Sequence, residues 1–166
     1  MLFRSFLAAV QGLTQAQWTF KPSPTRWSVQ EVAEHVVLVE EMLGGGVAKT
    51  LAGEPDPALE EKPGGYEMMR MRVLDRSFRG VQAPDPVSPK GQWTLDETVS
   101  RFRQARARSR ELLSRPGLPL KARLHKAMPG TFNCYRWLTL VSLHTRRHLS
   151  QILEIKAIEA GPGYPK

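Results

Sequence analysis

The chain holds a single cysteine, Cys134, so no intrachain disulfide can form, and a reducing, cytoplasmic setting is expected. No apolar run comes near the ~20 residues that a bilayer-spanning helix needs, so no membrane partner is expected. Alternating apolar-polar runs and hairpin dipeptides are missing too, which argues against a sheet. Acidic residues are scarce: 16 against 24 Lys and Arg give a formal charge of +8. That balance permits an acidic partner. The arginines wrap around their helix and form no single stripe, so we read a solvated surface and expect no nucleic-acid partner. The opening MLFRSFLAAVQGL lacks a small-residue cleavage site and keeps helical spacing through Leu2, Phe6, Ala9, Val10 and Leu13; it is expected to be the first helix.

At 166 residues the chain is expected to form one domain that buries its own core. The first helix is expected over residues 1–17. Pro22 and Pro24 break the pattern after it, with Trp18, Phe20 and Trp27 as anchors for the connection. Ser28 and Glu31 then read as a capping box opening a helix whose Val32, Val36, Val39 and Leu43 share one face with His35. Gly44-Gly45-Gly46 either ends this helix or marks a close backbone approach. Prolines punctuate residues 53–92, around a short amphipathic segment at 66–79 with Tyr66, Met69 and Val73 inward; 83–91 is a structured connection.

Thr94 and Glu97 form a second box. Its helix runs to Ser114, with Leu95, Val99, Phe102, Ala105, Ser109 and Leu112 inward and Arg101, Arg103, Arg106, Arg108, Arg110 and Arg115 on the other faces. Residues 118–132 are expected to be a loop carrying His125, with a turn at Pro129-Gly130. The last helix follows, from Thr131 or Asn133 to Glu159, and is stopped by Gly161-Pro162-Gly163. Four main helices and a minor one, without a sheet, predict an all-α bundle.

His144 and His148 stand four residues apart in this last helix, and so on one face. They fall within the apolar stripe of Trp137, Leu140, Val141, Ile152 and Ile155 and point at whatever the helix packs against. His35 lies on the apolar stripe of an earlier helix. Where those faces meet, three imidazoles converge, a donor set that suits Zn, Ni, Mn, Fe or Co and leaves a coordination position open.

Two stretches carry a family resemblance. Trp27-Ser28, Glu31 and His35 resemble the W-S-x-x-E-x-x-x-H opening of the DinB-like (YfiT-related) metalloenzymes. His144, Arg147, His148, Gln151 and Ile152 resemble their H-x-x-R-H-x-x-Q-I element, and Ala83-Pro84-Asp85 with Pro89-Lys90-Gly91 is similar to the family's middle. The resemblance spans nearly the whole chain. It implies a four-helix bundle of up-down-down-up connectivity, one divalent metal on His35, His144 and His148, and a homodimer. Relatives include bacillithiol S-transferases and mycothiol-dependent maleylpyruvate isomerases, which implies a low-molecular-weight thiol as cosubstrate. Two features depart from the pattern. The first helix is short for the family, and the H-P-x-x-G turn that many relatives carry is replaced here, since Lys126 follows His125; His125 is therefore expected to be an exposed loop residue.

The first functional expectation is a thiol-dependent transferase or isomerase acting on a small molecule, with Zn or Ni ahead of Mn or Fe. Basic residues at the pocket mouth could receive an anionic thiol, although Arg146 and Arg147 sit off the metal face by helical spacing. A metal-dependent hydrolase comes second, because HTRRH lacks the glutamate of H-E-x-x-H. Glu31 serves the cap, and Glu34 and Glu40 lie off the stripe. A non-enzymatic metal-binding, stress-related protein is third.

Overall fold

Three capping boxes set the starts of three helices. Each places a hydroxyl on the amide three residues on and returns a carboxylate or amide oxygen to its own amide, so two otherwise orphaned donors are satisfied. Ser28 and Glu31 open α3 (Val29–Ala52) in this way, with 3.1 and 2.8 Å bonds. Thr94 and Glu97 open α5 (Leu95–Ser114), at 3.2 and 2.8 Å. The third box, Thr14 with Gln17, corrects the expected helix over residues 1–17. Gly12 adopts a φ of +77°, which ends α1 (Leu2–Val10), and Thr14 starts a separate α2 (Gln15–Thr19).

The computed structural model describes residues 2–77 and 82–161, without the side chains of Leu2 and Phe3. The inward placement expected of Leu2, the end of the 66–79 segment at Arg79 and the Pro162-Gly163 stop lie outside the described residues. The protein is mostly helical: α4 (Gly65–Leu74), a 3-10 turn at Asp85–Val87 and α6 (Cys134–Glu159) complete the helices. No helix among the described residues is long and apolar enough to cross a membrane.

One expectation holds only in part: residues 118–123 carry no regular element and the chain turns at Met128-Pro129, but the rest is a hairpin. There β1 (Leu124–Ala127) and β2 (Gly130–Asn133) form an antiparallel hairpin, with His125 opposite Phe132 and Ala127 opposite Gly130. Two strands of four residues are too short to display a two-residue period, and Met128-Pro129 at the tip is not one of the glycine dipeptides that announce tight hairpins. Phe132 is buried, and Asn133 caps α6 by accepting from the Arg136 amide at 2.9 Å.

α3 is the centre of the fold, packed against both α5 and α6. Its stripe residues divide between two apolar clusters. Val32 and Val36 join Phe6, Trp18, Phe102, Ile152 and Ile155 in one. Val39, Leu43 and Val47 join Tyr66, Phe132, Trp137, Leu140 and Val141 in the other. Trp18, Phe20 and Trp27 pin the proline-rich connection to the first cluster as expected. Buried Glu34 accepts from the amides of Gly91 and Gln92 at 2.7 and 3.2 Å, tying the 83–91 connection to α3.

The glycine triplet does not end α3. It lets neighbours approach: a Cβ on Gly46 would stand 2.7 Å from His125 Nε2, and one on Gly44 would stand 3.3 Å from Ser109 Oγ. A Cβ on Gly45 would meet nothing within 4 Å. Gly45→Ala should therefore stabilise the protein by up to about 1 kcal/mol in urea denaturation, the full helix-propensity gain. Gly46→Ala should give no such gain, because it displaces a ring hydrogen-bonded to Thr50 at 2.9 Å, and His125→Ala in the same chain should restore it. Equal effects of the two single substitutions would contradict this packing.

Candidate metal centre

His35 sits on α3 between the positions that feed the two clusters, and His144 and His148 sit at the matching height on α6. The structure brings all three together. One ring nitrogen from each lies within 4.8 Å of the other two. His144 Nε2 stands 3.2 Å from His35 Nε2 and 3.1 Å from His148 Nε2. His35 and His148 are buried, and His144 is partly so.

The opposite ring nitrogens decide what those three atoms offer. His35 Nδ1 donates to the Val87 carbonyl at 2.7 Å, since a carbonyl can only accept. His148 Nδ1 donates to Gln151 Oε1 at 2.9 Å. Both rings in their neutral form therefore turn an unprotonated Nε2 towards His144. A single N–H on His144 Nε2 could bridge one of its two short contacts and not the other, so at least one pair of nitrogens is left without a proton between them. A shared cation resolves that conflict. Zinc–imidazole bonds of about 2.0–2.1 Å place tetrahedral ligand nitrogens about 3.3 Å apart, and octahedral ones about 3.0 Å apart. The two spacings to His144 Nε2 match that range and the third pair lies within 4.8 Å, so the donor set fits a divalent ion. His144 differs from its partners in that its Nδ1 is buried without a hydrogen-bond partner.

Electrostatics keep the rings neutral. Burial lowers the His35 pKa, partly offset by the bond to Val87. Burial lowers His144 well below the ordinary value, helped by the neighbouring His148, His35 and Arg147. His148 is pushed down to about 3, first by burial and then by His35, against the pull of its bond to Gln151. Lone pairs are thus free of protons throughout the neutral range.

The rings open into a cleft of about 760 Å³. Trp27 packs against His35 at a 5.1 Å centroid distance with the rings tilted by 48°, and Trp137, Leu140 and the hairpin tip form another wall. Arg147 also lines this cleft, contrary to the helical-spacing expectation; its guanidinium bends back to the carbonyl of Asp75, at 2.5 Å, at the end of α4. Arg146 is exposed. His125 is no exposed loop residue: it is half-buried on β1, bonded to Thr50, and its carbonyl accepts from Trp137 Nε1 at 2.8 Å.

Residues 2–152 match the sequence profile of the DinB superfamily. The chain belongs to the DinB superfamily. It is 25% identical over 152 residues to the uncharacterized protein YuaE of Bacillus subtilis (strain 168), an alignment covering 89% of this chain and 88% of that one. No solved structure matches significantly.

Behind the histidines, this DinB protein carries a polar group that periodicity misplaced. Glu40 and Arg106, expected off the stripe and on the solvent side, form a buried ion pair between α3 and α5. Thr145 donates to Glu40 at 3.0 Å, and Arg106 also reaches Thr145 at 2.9 Å and Ser142 at 2.7 Å. Burial raises the Glu40 pKa to about 7 despite the Arg106 charge. Glu40 five residues after His35 faces α5 because α3 is covered on nearly every side, which a single-stripe reading cannot detect. Gln151 was legible at three residues from His148; the Val87 carbonyl has no sequence signature.

Two outcomes follow. Arg106→Ala removes the cation that Glu40, Thr145 and Ser142 bond, leaves the buried carboxyl to be protonated, and should cost about 3 kcal/mol at pH 7, whereas Glu40→Leu/Arg106→Met should cost far less. Urea denaturation checks this; equal costs would contradict it. The second concerns pH. Unfolded histidines take up protons near pH 6.5 while these folded ones do not, so metal-free protein should be fully stable above that pH and lose stability as pH falls below it. Each histidine contributes up to about 1.4 kcal/mol per pH unit. The raised Glu40 works in the opposite sense, since its folded form takes up a proton first. Glu40→Gln should thus steepen the loss between pH 6.5 and 5, and His148→Gln should flatten it. Stability independent of pH over that window would contradict the assignment.

Proposed function

We propose that His35, His144 and His148 hold one divalent metal ion and that the protein is a metal-dependent enzyme acting on a small molecule in the adjoining cleft. The convergence of three Nε2 atoms, two of them fixed as acceptors by what their Nδ1 atoms bond, carries this reading. Zn and Ni lead, with Mn and Fe accepted by the same donors. Such an ion supplies Lewis acidity, which makes a bound thiol or water more acidic and polarises a carbonyl.

The chain's own groups do the remaining work. The Val87 carbonyl and Gln151 fix ring orientation, as supports behind metal ligands commonly do. Trp27, Trp137 and Leu140 give the histidine side of the cleft an apolar wall. Thiol-dependent transfer or isomerisation is favoured over hydrolysis because the cleft has no spare carboxylate. Among the described residues that line it the one acid is Glu154, which pairs with Arg76. Glu31, Glu34 and Glu40 are engaged by the α3 cap, the 83–91 connection and Arg106. A thiol is far more acidic than water and asks less of a general base.

In the same reading the chain is one cytoplasmic domain that forms a homodimer, and α1, α3, α5 and α6 are the four helices of an up-down-down-up bundle. Packing of α3 on α5 and α6, and of α1 on the same two helices, supports the bundle.

Protein purified without a His-tag should carry about one divalent ion per chain, and the His144→Ala/His148→Ala variant almost none, by elemental analysis. A panel of electrophiles offered with bacillithiol, mycothiol, glutathione or water, with and without Zn, Ni, Mn or Fe, should show thiol-dependent turnover that His35→Ala abolishes. Metal in neither sample overturns the site. Metal without turnover anywhere on the panel overturns the enzyme and leaves a metal-binding protein.

A further inference from the structure

The cleft before the histidines has the volume of a small-molecule site, and its lining is of two distinct kinds. The body of the wall is apolar and adaptable. Trp27, Trp137 and Leu140 face Met42, Met69 and Met128, three of the chain's six methionines, and thioether side chains conform to ligands of varied shape. Among the described residues of the lining, the neutral hydrogen-bonding side chains besides the histidines and indoles are Thr25, Gln82 and Gln151, the last already bonded to His148. A polyhydroxylated or otherwise polar body would lose its water there and find little in exchange.

The charged lining is lopsided. Among the described residues of the lining, Arg26, Arg72, Arg76 and Arg147 stand against one acid, Glu154. Arg76 pairs with that acid and also donates to the Arg147 carbonyl at 3.4 Å. Arg147 is held by carbonyls at the end of α4, Val73 at 3.4 Å and Asp75 at 2.5 Å. Guanidiniums tethered in this way lose little further freedom on meeting an anion, and their planar fork matches carboxylate and phosphate oxygens. Arg26 and Arg72 are exposed, one before α3 and one on α4, so positive charge faces the cleft from two elements. A concave, low-dielectric wall concentrates that field on whatever enters.

We propose that the cleft binds a small organic anion with an apolar body and one anionic head, a carboxylate or a phosphate, seated against the cleft arginines. The inference rests on the metal-centre reading for which end of the ligand would react; the affinity itself comes from the cleft.

The test is calorimetric titration of chelator-treated protein with four rigid probes: 2-naphthoate, 2-naphthyl phosphate, 2-naphthamide and 2-naphthylmethylammonium. Working without metal removes the trivial route by which an anion binds the ion itself. One or both anions should bind about tenfold or more tighter than the amide, with the ammonium weakest, and the tighter anion names the head group. Arg26→Gln/Arg72→Gln or Arg76→Gln should bring that preference below about threefold while leaving the amide's affinity unchanged. Whichever variant does so locates the head.

Equal affinity for amide and anions, or tightest binding of the ammonium, overturns the proposal. So does an anion preference that survives both variants, or one that exists only in zinc-loaded protein. That last result would leave the metal centre standing. The converse, anion selectivity intact in a chain that takes up no metal, would remove the metal centre and keep this inference.

Discussion

A polar layer buried at mid-height between α3 and α6 is the constraint on which the rest depends. Apolar clusters lie on either side of it. Within it, His35, His144 and His148 face the cleft, while Glu40 and Thr145 face α5 and meet Arg106 from that helix. Groups of this kind cost several kcal/mol to bury unless each finds a partner. The layer therefore dictates its surroundings: the 83–91 connection must bring the Val87 carbonyl to His35, and Gln151 must lie one turn beyond His148. Arg106 must come from α5 to neutralise a carboxylate with no exposed surface.

The two halves of the layer differ in the donors they present and in their access to the cleft. The Glu40 half is an ion pair with two hydroxyls that joins α3, α5 and α6, is closed off from the cleft, and leaves Glu40 Oε2 and Arg106 Nε without partners. The histidine half converges on nitrogens that cannot all satisfy one another, and it opens to the cleft. Buried polarity that gathers neutral acceptor nitrogens at the floor of a cleft has the form of a binding centre. Our functional reading follows from that asymmetry, with the rings kept neutral by burial and the ion supplied from outside.

Much of this was legible in the chain because helix starts and stripes are local signals. Ser28 and Thr94 fixed the phase of two helices, and that phase put His35 on an inward face; four-residue spacing did the same for His144 and His148. What escaped depends on contacts distant in sequence. Arg106 looks like its solvent-facing neighbours until Glu40 is known to lie opposite. His125 looked exposed because the hairpin that holds it is too short to show a period, and Gly46, the glycine it packs on, lies 79 positions upstream. The break at Gly12 is a different case: Thr14 and Gln17 form a capping box that helical spacing through Leu13 obscured.

X-ray absorption spectroscopy of the protein loaded with zinc tests the centre most directly, because it reads the ligands rather than the presence of metal. Three imidazole nitrogens at about 2.0–2.1 Å, reduced by one in His144→Ala, are predicted. A coordination shell without imidazole, or one unchanged by that substitution, would contradict the account.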